Sequence, residues 1–386
     1  MKLERRYHFV VSDLFFLGVT VLLGLGAVNS QNNLLFLLFG LALGAILVSG
    51  FLSGSMLLGI QVERDVTGER CVRGRMHIRY RVTNRSRLLP GFCLLIEEIP
   101  PEPHAWDGRL AAPVGFINHV GRRETVIADV HAWPRCRGEL HFHAVRISTR
   151  FPFGLMRKSV TFSAPQTVLI QPQTLPLRRD LLSQLMARGD TGRLSSQNQG
   201  RGDEFYGLRD YVPGDSMRLV AWRVSARTDA LVVREHAQPA TTRFMVYLDV
   251  PVVPEGDEAG SAAAEDAIVL AASLLREAVA RNCEIGLVVP TWGLAHRPVN
   301  APRYLPAMLD LLGRLDLHAP AVERDPLAAL EAAGEGRARS VSILVDAGHP
   351  SGVGPRGARR LSASDLDRHL SPAAMPGARR RAEVRG

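Results

Sequence analysis

Hydrophobic residues follow three patterns along the chain, and the first pattern predicts a pair of membrane-spanning helices. No charged residue occurs from Leu14 to Val62. Two apolar runs, at about residues 10–29 and 34–60, are separated by the short polar segment Ser30–Asn33. An apolar stretch of about 20 residues can cross the hydrocarbon core of a bilayer, and there its backbone groups are satisfied within a helix. We therefore predict a membrane hairpin of two transmembrane helices over residues 1–60.

The basic residues around these runs predict the orientation of the hairpin. Lys2, Arg5 and Arg6 precede the first run, four arginines follow the second between Arg64 and Arg75, and the loop between the runs has no Lys or Arg. Such residues collect on the cytoplasmic side, so we expect both termini to be cytoplasmic. A cleaved signal peptide over Met1–Ala27 is the alternative, but the second apolar run follows it directly.

The second pattern is an alternation of polar and apolar residues, which is typical of half-buried strands. It is clearest over Met76–Val82 and recurs at Cys93–Ile96, Thr125–Val130 and Glu139–Ile147, with turn residues between these stretches. Short strands at this spacing predict a small antiparallel β-sandwich over residues 61–172.

Four residues of this segment invite comparison with a zinc site. They are His131, Cys136, His141 and His143, and zinc accepts imidazole and thiolate ligands. Their spacing matches no zinc motif, and exposed histidines are common on strands. We therefore predict no metal at this position.

The third pattern alternates buried strands with amphipathic helices over residues 241–348. Strands are predicted at Thr242–Asp249, Glu284–Val289 and Ser340–Asp346, and helices at Ser261–Arg281, Arg303–Leu315 and Pro326–Ala333. This alternation predicts a doubly wound α/β domain. The whole chain is thus expected to be an α+β multidomain protein.

Less regular segments flank this domain. Residues 173–201 are predicted to be a connector, with a short helix at Asp180–Met186 and a mobile loop from Ala187 to Gly202. Residues 349–386 are rich in Gly, Pro, Ala and Arg, which predicts a disordered basic tail. Residues 202–240 lie between the connector and the α/β domain.

Net charge and cysteine spacing indicate which partners and which redox compartment to expect. The 386 residues carry a formal net charge of +9, much of it at the two ends. A basic tail can contact nucleic acid or anionic lipid, but a solvated disordered end is favoured and no nucleic-acid partner is expected. The four cysteines form no C-x-x-C pair, which indicates reduced thiols of a cytosolic domain.

The segment Gly202–Glu235, called the signature segment below, mixes charged and aromatic residues most densely. With Arg201 just before it, it contains six arginines and six acids, so that the charges cancel. We predict a structural connection in which the Pro213-Gly214-Asp215 turn sets the chain direction and Trp222 packs inward. Acids would hold the arginines, and spare arginine donors would form a docking face. The residues concerned are Arg209, Tyr211, Pro213, Gly214, Asp215, Arg218, Trp222, Arg223, Ser225, Arg227, Arg234 and Glu235.

Catalytic motifs are missing from the sequence. No G-x-S-x-G, H-E-x-x-H, phosphate-binding or dinucleotide-binding glycine motif occurs in a suitable context, so we predict neither an enzyme nor catalytic residues. The alternative is a ligand-binding protein or hydrolase that uses the signature segment. Its anion pocket would consist of Tyr211, Asp215, Arg218, Trp222 and Arg227, since arginine forks suit phosphate and carboxylate.

The letters GDEFYGLRDYVPGDSMRLVAWRVSARTDALVVRE resemble the signature of the domain-of-unknown-function 58 family. The membrane hairpin, the NRSRLLP loop and the RFPFGL turn extend the resemblance to most of residues 1–250. The resemblance implies a bacterial inner-membrane protein whose C-terminal part is similar to von Willebrand factor A domains. It also implies a MoxR-type AAA+ ATPase as a partner.

From this resemblance we expect a membrane-anchored scaffold or adaptor. It would present the von Willebrand A-like domain to the ATPase or its client during the assembly or maturation of complexes. Other von Willebrand A proteins, other membrane proteins and the lipid bilayer are the remaining expected partners. A small ligand whose binding is lost on Arg223→Ala or Asp215→Ala, while the thermal melt is unchanged, would instead favour the alternative.

Metal binding is implied by the von Willebrand A resemblance, where a D-x-S-x-S motif at the end of the first strand holds Mg²⁺. The matching positions here are Asp249-Val250-Pro251-Val252-Val253. Pro251 and Val253 have no hydroxyl and cannot be ligands, so only Asp249 and a second acid, Asp346, remain as weak candidates. We expect no metal or other cofactor, and a turn-forming role for Asp249.

Overall fold

The computed structural model describes residues 3–8, 11–154, 157–187, 199–213, 215–237, 243–322, 340–348 and 358–371. The fold is a mixture of helices and sheets. Its contacts divide it into two units, residues 1–173 with 310–315 and residues 174–309 with 316–386. The predicted α+β class is confirmed at this level.

Two apolar helices lie near the start of the first unit. They are α1 Val11–Ser30 and α2 Asn33–Leu57, and the Asn32 side chain caps α2 by accepting a hydrogen bond from the Leu34 amide at 2.8 Å. The most apolar stretch of 18 residues in α2 has a mean hydropathy of 2.5, and only 6% of that stretch is buried. Helices that expose apolar side chains along their length suit a lipid environment, so this pair indicates membrane association.

Among the described residues of the first unit, eight strands form two antiparallel sheets. The sheet orders are β1-β8-β7-β4-β5 and β2-β3-β6. The strands are β1 Leu3–His8, β2 Ile60–Gly68, β3 Met76–Asn84, β4 Gly91–Ile99, β5 Val114–Val120, β6 Thr125–Ala132, β7 Gly138–Thr149 and β8 Arg157–Ile170. Alternate residues of β3, from Met76 to Val82, are fully buried in one core that both sheets share. The predicted antiparallel arrangement is confirmed.

The remaining elements include a mostly parallel sheet of order β13-β12-β11-β14-β15. Strand β11 is parallel to β12 and β14, β14 is parallel to β15, and β12 and β13 form an antiparallel pair. The elements after β8 are α3 Arg179–Ala187, β9 Gln199–Asp210, α4 Trp222–Thr228, β10 Val232–Ala237, β11 Arg243–Asp249, α5 Glu258–Ala280, β12 Glu284–Val289, β13 Leu294–Asn300, α6 Ala301–Arg314, β14 Ser340–Asp346, β15 Arg359–Ser362 and α7 Leu366–His369.

Three parts of the chain differ from the sequence-based expectation. Strand β1 lies in residues that were expected to belong to the membrane hairpin, and it pairs with β8. Strand β15 and helix α7 lie where a disordered tail was expected, because β15 pairs with β14 from Ile343 to Asp346. Residues 199–202, expected to end a mobile loop, begin strand β9. The predicted helix at Pro326–Ala333 lies outside the described residues, as do residues 188–198 of the loop and residues 349–357 and 372–386 of the tail.

A buried ion pair joins the two sheets of the first unit. Arg64 Nη1 lies 2.7 Å from Glu98 Oε2, and the two side chains are 2% and 0% exposed. The other guanidinium nitrogens donate to Gln166 and to the carbonyl of Ala164, and the guanidinium carbon lies 4.7 Å from the ring centroid of Phe142. Burial raises the pKa of Glu98, and Arg64 opposes that rise. The carboxylate therefore depends on Arg64 to remain charged inside the protein.

Removing only one partner of this pair should be strongly destabilising. We expect Arg64→Met to lower the free energy of unfolding by about 3–5 kcal/mol, because it leaves the Glu98 carboxyl buried without its cation. The measurement is denaturant unfolding of the full chain in a neutral detergent. Arg81→Met is the matched control, since the Arg81–Glu63 pair is 57% and 75% exposed and should be worth about 1 kcal/mol or less. Equal effects of the two substitutions would contradict a special role for the buried pair.

Candidate functional site

The signature segment folds as two antiparallel strands with a compact insertion between them. Strand β9 pairs with β10 from Asp210 opposite Val232 to Phe205 opposite His236. The insertion consists of a turn, a 3-10 helix at Met217–Leu219 and the short helix α4. A bridge between Val220 and Val233 fastens it to β10. The insertion is thus held at its two ends by the strands and between them by this bridge, which fixes its course.

An ion pair holds the turn at the start of the insertion. Arg209 Nη1 and Nη2 donate to the two carboxylate oxygens of Asp215 at 2.6 and 2.8 Å. The same carboxylate accepts from the Val212 amide at 3.0 Å. The hydrogen bonds from Arg209, and to a smaller extent that from the Val212 amide, lower the pKa of Asp215 from its ordinary 3.8 to about 2. Exposed Pro213 lies in this turn, Tyr211 is half-buried beside it, and Gly214 lies outside the described residues.

Ser225 joins α4 to strand β10. Its hydroxyl accepts a hydrogen bond from the Val232 amide at 2.9 Å and lies 3.4 Å from the Val232 carbonyl, to which it donates. Ser225 is 8% exposed and Ala221, one helical turn earlier, is 1% exposed. This side of α4 therefore faces the hairpin, and the geometry gives Ser225 a structural role rather than that of a nucleophile.

The expectation that Trp222 packs inward is wrong, because 58% of this residue is exposed. Ala221 and Ser225 already occupy the inner side of this short helix, so the side chain of Trp222 points away from the hairpin. The apolar residues Val212 and Met217 are also exposed, at 57% and 52%. The inner side accepts only small side chains, whereas the larger ones remain in solvent.

The arginines of the segment divide into two kinds. Arg209 is bound to Asp215, whereas Arg218, Arg223, Arg227 and Arg234 are exposed. Within the described part of the chain, these four guanidinium groups are not placed in ion pairs with acids. The expectation that acids hold Arg218, Arg223 and Arg227 is therefore wrong for these residues. Glu235 lies in β10 opposite Gly207, and its side chain is outside the described atoms.

The exposed side chains of the insertion are called the tryptophan–arginine set below. Its members are Val212, Met217, Arg218, Trp222, Arg223 and Arg227. Trp and Arg are the residues that contribute most often to the energetic centre of protein interfaces. Planar guanidinium groups also pair well with carboxylates and phosphates. Chemically, the set suits a partner that offers acids beside an apolar surface.

The two candidate metal ligands lie at the carboxyl edge of the mostly parallel sheet. Asp249 and Asp346 are direct neighbours in the pairing of β11 with β14, and they are 3% and 1% exposed. Arg360 Nε donates to Asp346 Oδ2 at 2.6 Å, and the Ser362 hydroxyl and the Gly348 amide bond to Oδ1 at 3.2 and 2.9 Å. The carboxylate of Asp346 is thus already engaged by an internal cation and by two neutral donors.

These residues do not fit a Mg²⁺ site of the von Willebrand A type. Pro251 and Val253 offer no oxygen from their side chains, and Arg360 stands beside Asp346 where a metal would have to compete with it. Among the described residues no three His, Cys, Asp or Glu side chains come together as metal ligands, including those near His131. Arg360 and Ser362 were missed from the sequence because they lie in the segment that was expected to be a disordered tail.

Acid should weaken the turn through Asp215. Because its pKa is lowered in the fold, the stabilisation from its ionised form is complete above pH 3.8 and is lost as the pH falls through about 2. We expect Asp215→Asn to speed hydrogen–deuterium exchange of residues 209–216 above pH 4, and the difference from wild type to shrink as the pH approaches 2. Asp129→Asn, in an exposed ion pair with Arg79, is the control. A difference that does not depend on pH would contradict this role of Asp215.

Comparison with known proteins connects this site to a family. Residues 207–347 match the family described as "Protein of unknown function DUF58". The chain is similar to the "Uncharacterized protein YeaD" of Bacillus subtilis (strain 168), with 26% identity over 254 residues. That alignment covers 65% of this chain and 61% of the relative. The region from the last residues of β9 to the end of β14, which contains the tryptophan–arginine set and both sheet-edge acids, is therefore similar to that family.

Proposed function

We propose that this protein is a membrane-anchored adaptor whose signature segment docks a partner at the cytoplasmic face of the inner membrane. Its two apolar helices span the bilayer with both termini in the cytoplasm. Its C-terminal α/β part acts as a von Willebrand A-like domain. The partner is a MoxR-type AAA+ ATPase or its client, and the adaptor acts in the assembly or maturation of protein complexes.

The dimensions of the helix pair support the two-span anchor. α2 has 25 residues and, at a rise of about 1.5 Å per residue, exceeds the roughly 30 Å of a hydrocarbon core, and the shorter apolar part of α1, Leu14–Ser30, comes close to that thickness. Exposed apolar residues such as Phe15 and Phe51, at 75% and 72%, favour lipid contact over solvent. The basic residues before α1 and after α2 favour the cytoplasmic placement of both ends.

The main observation behind the docking role is the exposure of the tryptophan–arginine set on a firmly held frame. The Arg209–Asp215 ion pair and the Ser225–Val232 hydrogen bonds fix the insertion without using Trp222, Arg223 or Arg227. Trp often contributes to the energetic centre of protein interfaces, and preorganised side chains lose little entropy on binding.

The alternative is that the same arginines bind a small anion, as a ligand-binding protein or hydrolase would. The exposure of Arg218, Arg223 and Arg227 on one short insertion favours anion binding of some kind. The hydroxyl of Ser225 is engaged by Val232, so a hydrolase would need a nucleophile from elsewhere. A small anion that protects the protein against heat, and does so less after Arg227→Ala, would support this alternative.

Substitution of Trp222 should separate docking from folding. We expect Trp222→Ala to leave the thermal stability unchanged, because the side chain is largely exposed, and to weaken partner binding about 30-fold, the result of losing a hot-spot contact worth about 2 kcal/mol. The measurement is crosslinking and affinity purification from native membranes, with captured AAA+ ATPase quantified against the bait.

Trp133→Ala is the matched control for this experiment. Trp133 is 55% exposed, close to the exposure of Trp222, but it belongs to the β-sandwich. Its substitution should leave partner capture at the wild-type level. Recovery of neither an AAA+ ATPase nor a von Willebrand A protein with the wild-type bait would contradict the adaptor role.

A further inference from the structure

A cavity lies where the last turns of helix α2 meet strand β8 of the sandwich, within the first unit. Its volume is about 300 Å³. Phe51, Leu57 and Leu58 give it an apolar side, and Ser55, Lys158 and Ser159 give it a polar one. Small-molecule sites begin at about this size and combine apolar walls with a few polar groups. The cavity thus has one cation beside an apolar surface.

Lys158 is an unusual choice of residue for this chain. Only Lys2 and Lys158 among the 47 basic residues are lysines. The Lys158 ammonium donates a hydrogen bond to the carbonyl of Gly50 in α2. A Cβ added at Gly54 would lie 2.9 Å from Nζ, so the missing side chain of Gly54 leaves room for the ammonium beside the helix. A compact ammonium enters such a crevice more easily than the planar fork of an arginine.

The electrostatics of the cavity favour an anion. Among the described residues that line it none is acidic, and Lys158 is half-buried there. Burial lowers the pKa of Lys158, because the half-buried ammonium has lost part of its hydration. A phosphate oxygen at the cavity would stabilise the charged form.

The position of the cavity points to a membrane surface as the source of that anion. Strand β1 pairs with β8, with Arg6 opposite Ser159 and Tyr7 opposite Lys158, and α1 begins three residues after β1 ends. The start of α1 and the end of α2 therefore lie at the same end of the helix pair, beside β8. Phe51 and Leu58, which line the cavity, are 72% and 60% exposed and continue the apolar surface of the helices.

We propose that this cavity binds the headgroup of an acidic phospholipid from the cytoplasmic leaflet. The lipid phosphate contacts the Lys158 ammonium, and the acyl chains lie along Phe51 and Leu58. Basic pockets beside transmembrane helices on the cytoplasmic side commonly hold anionic headgroups. The inference rests on the membrane anchor of the proposed function, but not on its adaptor role.

The test uses the full chain in a neutral detergent, with phosphatidylglycerol added in mixed micelles. We expect saturating phosphatidylglycerol to raise the Tm of the wild type by about 5 °C. Lys158→Met should abolish the rise, since it keeps the length of the side chain and removes its charge. Ser55→Leu, which fills the cavity without changing a charge, should abolish it as well and serves if Lys158→Met does not fold. Native mass spectrometry should show one retained phosphatidylglycerol for the wild type and none for either variant.

Controls separate this site from general charge attraction and from free anions. Arg81→Gln removes an exposed cation of the sandwich and should keep the full Tm rise. Phosphatidylcholine and inorganic phosphate should each leave the Tm unchanged. An equal rise in wild type and Lys158→Met, or a rise with phosphatidylcholine or inorganic phosphate as large as that with phosphatidylglycerol, would overturn the proposal.

Membrane extraction distinguishes failure of the lipid site from failure of the anchor. Full-length chain that alkaline carbonate removes from native membranes would overturn the anchor, and the lipid site with it. Chain that resists carbonate and shows no response to phosphatidylglycerol would overturn the lipid site alone. The capture of a partner through Trp222 is a separate measurement that neither result changes.

Discussion

The ion pair between Arg209 and Asp215 is the interaction on which the candidate docking surface depends. It engages both carboxylate oxygens, and the Val212 amide adds a third hydrogen bond, so the turn that opens the insertion has one defined shape. The 3-10 helix and α4 follow from that turn and are fastened again at Val220 and Ser225. Because these few contacts position the insertion, Trp222 and three arginines remain available to a partner. A frame held by polar contacts can present side chains that a hydrophobic core would have absorbed.

Guanidinium–carboxylate pairs recur in this protein where the apolar pattern alone would not determine the structure. Arg64 and Glu98 join two sheets through the core of the sandwich, and Arg360 and Asp346 hold the short strand β15 against β14. The planar fork of arginine fixes direction as well as distance, which a lysine ammonium does not. The Arg360–Asp346 pair also places a cation beside the one carboxylate that could have joined Asp249 in binding a metal. The sheet edge is therefore stabilised internally.

The sequence was sufficient for elements with a regular apolar pattern. Strand β3 alternates strictly, β12 is apolar from Ile285 to Val289, β14 has an apolar stretch from Ile343 to Val345, and α2 has no charged residue, so the local pattern indicates their structure. Strands β1 and β15 could not be predicted, because half of their six and four residues are charged and they form only by pairing with β8 and β14. A similar limit explains why the exposure of Trp222 was not predicted. An aromatic residue is normally expected inside, but the inner side of α4 has room only for Ala221 and Ser225.

The two proposed binding sites use cations in physically different ways. The arginines of the tryptophan–arginine set are exposed, so their attraction to a partner is screened within a Debye length of about 8 Å at physiological salt. Lys158 is half-buried against α2, where screening is weaker and an anion replaces lost water. Exposed arginines suit a contact that forms and dissociates, because most of their hydration is kept until the partner arrives. A half-buried lysine beside the end of an apolar helix suits a long-lived contact with a surface that is always present.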